Sequence, residues 1–149
     1  MDPFLLRLRL LNRILEKKTD TLIQILNITE NQRTVLSSNA CGGQALELFT
    51  GMAREKQKLI DTLNEGDRVF EKTFREISTV FETQAPKHAG LVKRMQDGVK
   101  RVTALDARIR VLESRNSSAR LVSGKAADNK SARKRVAQIY EKNKIKNNR

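Results

Sequence analysis

From Phe49 the chain places a residue of one face at alternating steps of four and three: Phe49, Ala53, Lys56, Ile60, Leu63, Asp67, Phe70, Phe74, Ile77 and Phe81. Eight of these ten are apolar, and the residues between them are mostly Glu, Lys, Arg, Gln, Asp and Thr. Such spacing is a heptad seam on one long helix. This is the second seam in chain order; the first runs through Phe4, Leu8, Leu11, Leu15, Lys18, Leu22, Ile25, Thr29, Gln32 and Leu36, widened by Leu5, Leu10, Ile14, Ile23 and Ile28. A widened stripe suits a helix with more than one neighbour. A third reads Leu91, Met95, Gly98, Val102, Leu105, Ile109 and Leu112, with Val92 and Val99 beside it.

The punctuation between seams sets the expected elements. Asp2 can cap a first helix whose first position is Pro3. Ser38-Asn39-Ala40-Cys41-Gly42-Gly43 is turn chemistry, and Thr83-Gln84-Ala85-Pro86-Lys87 is a second break. Helices are therefore expected at about 3–38, 44–82 and 87–115. Asn64-Glu65-Gly66-Asp67 could split the second, but the seam keeps register across it, so continuity is favoured. The first two helices would each span roughly 55 Å. The expectation is an all-α fold, an elongated antiparallel up-down-up three-helix bundle over residues 1–119, resembling a coiled coil.

Residues 120–149 differ. Ser123-Gly124-Lys125 reads as a hinge, and a short amphipathic helix at about 131–142 carries Ala132, Val136, Ile139 and Tyr140 on one face. That face is too small to fold alone, so ordering on a partner is expected. The formal net charge of +13 is concentrated there. Residues 1–119 hold 20 basic and 15 acidic side chains, whereas 120–149 hold 10 and 2. This basic flexible tail, with Lys130, Arg133, Lys134, Arg135 and Lys142, admits three readings: a phosphate-binding arm, a segment steered to an acidic partner, or solvated charge. Val136, Ile139 and Tyr140 favour a protein partner, since solvation does not require an apolar face. A nucleic-acid-binding bundle with a basic arm is the alternative, although Tyr140 is the only aromatic residue there for base stacking.

Chemistry is sparse. Cys41 and His88 are the only cysteine and histidine, and the topology separates them by tens of ångströms at the helical rise. A nucleophile and its base need hydrogen-bond reach, and no His/Cys cluster offers a metal site. Gly42-Gly43 lacks the Lys-Ser/Thr of a phosphate loop. No enzymatic activity, cofactor or metal is expected. The opening apolar stretch is interrupted by Arg7, Arg9 and Arg13, which fits neither a signal peptide nor a membrane span. One cysteine fits a reducing compartment, and a cytoplasmic protein is expected.

Three segments carry a family resemblance: Asn31-Gln32-Arg33 followed by Val35-Leu36; Arg54-Glu55-Lys56-Gln57-Lys58-Leu59-Ile60-Asp61 with Asp67 and Phe70; and Ile139-Tyr140-Glu141-Lys142 in a lysine-rich C terminus. The chain resembles the small helical flagellar export chaperones of the FlgN type. The resemblance implies a cytoplasmic escort that holds an amphipathic terminal helix of hook-associated (hook–filament junction) proteins, prevents premature assembly and delivers them to the type III export apparatus, including its gate and ATPase components. It implies client binding by the C-terminal part, for which Leu105, Ile109, Leu112, Leu121, Val122, Val136, Ile139 and Tyr140 are the candidates, and a role at the gate for Tyr140. An open apolar stripe could equally be buried by self-association.

One expectation is local. A hairpin turning around Ala40–Gly43 pairs positions whose numbers sum to about 83–85, which sets Lys18 of the first seam against Asp67 of the second. A polar pair at seam positions costs desolvation but fixes register.

Overall fold

The computed structural model describes residues 2–37 and 43–123, with side chains through Ser118. It is an all-α helix bundle: α1 (Pro3–Ser37), α2 (Gly43–Ser78), α3 (Phe81–Gln84), a 3-10 turn (Ala85–His88) and α4 (Ala89–Ser123). Asp2 caps α1, its Oδ1 accepting from the Phe4 amide at 3.0 Å. No helix among the described residues is long and apolar enough to cross a membrane.

Two helix ends differ from expectation. The second helix stops at Ser78, not near residue 82, because Ser78, Thr79 and Val80 form a run of weak helix formers. Val80 adopts φ −109°, ψ 3°, and the chain restarts as the single turn α3. That break sets Phe81 against Phe4 and Phe74, with ring centroids 6.1 and 5.9 Å apart. The third helix begins after the 3-10 turn and runs to Ser123, well past residue 115. Ser117 and Ser118 do not stop it. The Ser118 hydroxyl donates to the Ser114 carbonyl one turn back, which satisfies a residue that otherwise favours turns. Across Gly66, α2 is continuous.

The described chain forms two compact units, and α1, α2 and α4 each contribute to both. The first holds residues up to Ile23 and Thr62–Asp106. Its core is apolar: Phe4, Leu8, Leu11, Leu15 and Leu22 from α1, Leu63 and Ile77 from α2, Met95 and Val102 from α4. Its buried polar groups are uncharged and hydrogen-bonded. Thr21 and Thr73 donate to their own helix's i−4 carbonyls, and the Asn12 side chain donates to the Leu91 carbonyl at 3.1 Å. Gly98 is buried, and a Cβ there would lie 3.2 Å from Leu15 Cδ1 and 3.3 Å from its Cβ. Its absence lets the α4 backbone approach α1 closely.

The second unit holds Gln24–Asp61 and the chain from Ala107 onward, of which 107–123 is described. Its buried apolar residues are Ile25 and Leu26 of α1, Phe49, Ala53 and Ile60 of α2, and Ile109 and Leu112 of α4. Phe49 and Ala53 pack with Leu36 as a small cluster. Thr29, Gln32, Lys56 and Asn116 share this interior.

Candidate functional site

The most demanding group in the molecule is Lys56, whose side chain in the second unit has no solvent exposure. A buried ammonium is tolerated only when its protons all find acceptors. Nζ donates to Thr29 Oγ1 at 3.0 Å and Gln32 Oε1 at 2.9 Å, and lies 3.2 Å from Glu113 Oε1. Three protons thus meet three oxygens, two from α1 and one from α4. Thr29 is fixed as an acceptor because its own hydroxyl proton goes to the Ile25 carbonyl at 2.7 Å. The helix spacing makes this possible: Thr29 and Gln32 are three residues apart on one face of α1. Asn116, one turn beyond Glu113's neighbour Leu112, donates from Nδ2 to the Thr29 carbonyl at 3.2 Å. Its Oδ1 is buried and accepts from no donor among the described residues. At the rim, Arg108 donates to Glu30 Oε1 at 3.1 Å.

This arrangement joins α1, α2 and α4 through one ammonium. It holds no nucleophile beside a base, and no group of three potential metal ligands occurs among the described residues. The third helix, α4, brings a carboxylate to Lys56 and an amide donor to the Thr29 carbonyl.

The first unit carries a different feature, a row of rings. Phe70 stacks parallel to Phe74 at 6.4 Å, and Phe74, Phe81 and Phe4 follow at 5.9 and 6.1 Å. His88 lies against Phe4 at 5.7 Å, with its Nε2 3.1 Å from Asp2 Oδ2. Phe74 is 36% exposed and Val80 41%, so the row reaches the surface. Partial shielding from water raises the Asp2 pKa, but hydrogen bonds from His88 and the Phe4 and Leu5 amides outweigh it and hold the carboxyl below its ordinary value. The Glu76 carboxyl is likewise held down by its hydrogen bond from Arg7, at 2.6 Å.

Among the expected site residues, Lys18 and Asp67 meet in the first unit, with Nζ 2.6 Å from Oδ1 and both side chains partly exposed. Ile109 and Leu112, named as client-binding candidates, are buried inside the second unit. Leu105 is half-buried in the first unit. Leu121 and Val122 lie on α4 beyond the described side chains. The tail candidates Lys130, Arg133, Lys134, Arg135, Val136, Ile139, Tyr140 and Lys142, the short helix expected at about 131–142, and Cys41 lie outside the described residues.

Sequence reasoning missed the Lys56 layer, although the signal was present. The register sum that sets Lys18 against Asp67 sets Lys56 against residues 27–29, and Thr29 is the polar seam position there. Glu113 lies off its seam and gave no such signal; Asn116 continues the third seam one step past its expected end. Comparison with protein-family models, curated proteins and solved structures finds no match.

Proposed function

We propose that this chain is a non-enzymatic, cytoplasmic export chaperone of the FlgN type, binding an amphipathic helix of hook-associated proteins and delivering it to the type III export apparatus. The observation that carries the reading is the placement of the resembling segment Arg54–Asp61. It lies on α2 with Lys56 at the centre of a buried layer that dictates which helix can pack there. Exposed apolar side chains on the same scaffold, Leu6, Leu10, Phe74 and Val80 in the first unit and Leu48 and Val111 in the second, offer further surface for a helical client. The finer architecture belongs to the same proposal: α1, α2 and α4 run up, down and up as an antiparallel bundle. In the first unit, Arg7 pairs with Glu76 and Lys18 with Asp67, so numbers rise on one helix as they fall on the other.

Binding of purified chain to terminal segments of hook-associated proteins is the test. A complex that survives raised salt is expected, because apolar helix docking is far less salt-sensitive than phosphate contacts. Failure to bind any such segment, with capture of nucleic acid alone, would remove the reading. One observation favours that second reading: Lys93, Arg94, Lys100 and Arg101 are exposed on α4 in two Lys-Arg pairs one heptad apart and make no ion pair among the described residues.

A further inference from the structure

We infer that the outer face of α4 in the first unit is a binding surface for double-stranded nucleic acid, DNA or RNA, gripped by its phosphates. The inference goes beyond the export reading and does not depend on it. The first unit distributes its exposed charge unevenly. Residues up to Ile23 expose Arg9, Arg13 and Lys17 against Asp2, Glu16 and Asp20, and the α2 part exposes Arg68, Lys72 and Arg75 against Glu65, Glu71 and Glu76. Both sets balance. The α4 part exposes Lys93, Arg94, Lys100 and Arg101 and no carboxylate. None of these four forms an ion pair among the described residues. Helical geometry sets them in two rows, Lys93 with Lys100 and Arg94 with Arg101, each repeating after one heptad or about 10 Å. The line between the rows carries short side chains: Gly90 and Ala104, both exposed, and Asp97, half-buried.

The chemistry of this face selects the partner. A protein interface needs apolar or aromatic anchors at its centre, and none stands between the rows. The exposed Val99 lies beyond the lysine row, away from the arginines. A membrane surface is held by apolar side chains that enter the acyl boundary beside the cations, and the same lack argues against it. Single strands are held by stacking on aromatic rings, and α4 has no aromatic residue. What fits is a polyanion held by charge, and a duplex presents one negative charge per about 1.7 Å of its axis. Residues 120–149 carry 10 basic and 2 acidic side chains. Their charge has the same sign as the face, so the chain's own tail is not its complement.

The experiment uses the full chain with short labelled DNA and RNA duplexes of mixed sequence. Binding is read by anisotropy across a salt series, and folding by circular dichroism. Both duplexes are expected to bind, with affinity falling steeply as salt rises. Replacing the four cations together, by Lys93→Gln, Arg94→Gln, Lys100→Gln and Arg101→Gln, should weaken binding roughly tenfold or more at low salt. The same variant should flatten the slope of log affinity against log salt by about three to four. Removing equal charge elsewhere in the unit, by Arg9→Gln, Arg13→Gln, Arg68→Gln and Lys72→Gln, should leave binding nearly unchanged. Asp97→Asn should tighten binding about threefold, because it takes a negative charge from among the phosphate contacts. The proposal is overturned if neither duplex binds, if the α4 variant keeps the native affinity and slope, or if the control set loses as much. Capture of phosphatidylglycerol vesicles or of a glutamate-rich helical peptide through these four cations, with no duplex bound, overturns it in favour of that partner. The two readings fail separately. Duplex binding that needs the α4 cations, without binding of any hook-associated segment, leaves this surface standing and removes the export role. Salt-resistant binding of such a segment, with no duplex bound, does the reverse.

Discussion

The two units are built from the same three helices yet solve the packing problem in opposite ways. The first keeps its buried polar groups neutral, two satisfied within a turn and Asn12 by the Leu91 carbonyl, and places its ionic pairs, Arg7–Glu76 and Lys18–Asp67, at the partly exposed margin. The second places a charge at its centre and joins α1, α2 and α4 through it. An apolar interior rewards any well-shaped apolar neighbour, whereas a buried ammonium rewards only a helix that brings the right oxygen at the right turn. The first interior thereby tolerates apolar variation, whereas the second constrains what packs at Lys56.

The largest expected effect separates these two interiors. Leu11→Ala, at a fully buried position of the first unit, should cost about 3 kcal/mol in denaturant unfolding. Lys56→Met combined with Glu113→Leu should be neutral or stabilising by about 1 kcal/mol, because an apolar replacement removes desolvation along with the pair. A loss as large as that of Leu11→Ala would mean that the polar layer stabilises the fold instead of selecting a partner. Smaller, and opposite in sign between units, are two glycine substitutions. Gly51→Ala in the second unit meets open space and should raise stability by up to about 1 kcal/mol through helix propensity alone. Gly98→Ala meets Leu15 Cβ, which cannot swing away, so the propensity gain should be cancelled or reversed. Thermal midpoints of the two variants would display the contrast.

The smallest effect is one of pH, confined here to the first unit. Asp2 and Glu76 have carboxyls held below their ordinary values by hydrogen bonds from His88 and the Phe4 and Leu5 amides, and from Arg7. A depressed folded-state pKa means that the contribution is present above the unfolded value and lost as pH falls through the folded one. Acidification below about pH 4 should therefore loosen the start of α1, seen as loss of amide protection at Phe4 and Leu5. His88→Gln should shift that loss to higher pH. An unchanged profile would show that the His88 contact does not hold the carboxylate.

Much of the fold was readable from spacing. Of the ten positions in the first seam, eight are buried, and Lys18 and Leu36 are half-buried. The second seam held to Leu63 and again at Ile77, but between them Thr73 is buried while Phe74 is exposed. A straight helix drifts relative to a heptad by about 20° per repeat, enough to exchange neighbours after three repeats. Composition misled at residue 115, where serines and asparagine resemble a turn but bond within or beneath the helix. The candidate site was half visible. Thr29, Gln32 and Lys56 stood in the seams as polar exceptions, but a three-way contact needs the third helix's register, and no turn rule supplies that.

The trio of oxygens around Lys56 also bears on how such a chain can change over generations. Thr29, Gln32 and Glu113 each answer one proton of the same ammonium; losing Glu113 removes the opposite charge, and losing Thr29 or Gln32 removes a neutral acceptor from a buried donor. In a lineage that retains the lysine, these positions are expected to be inherited as a set. Where the lysine is replaced by an apolar residue, all three become free to drift at once. A sequence survey of descendants would then show two populations with few intermediates, one with a polar layer at this level of the second unit and one with an apolar layer.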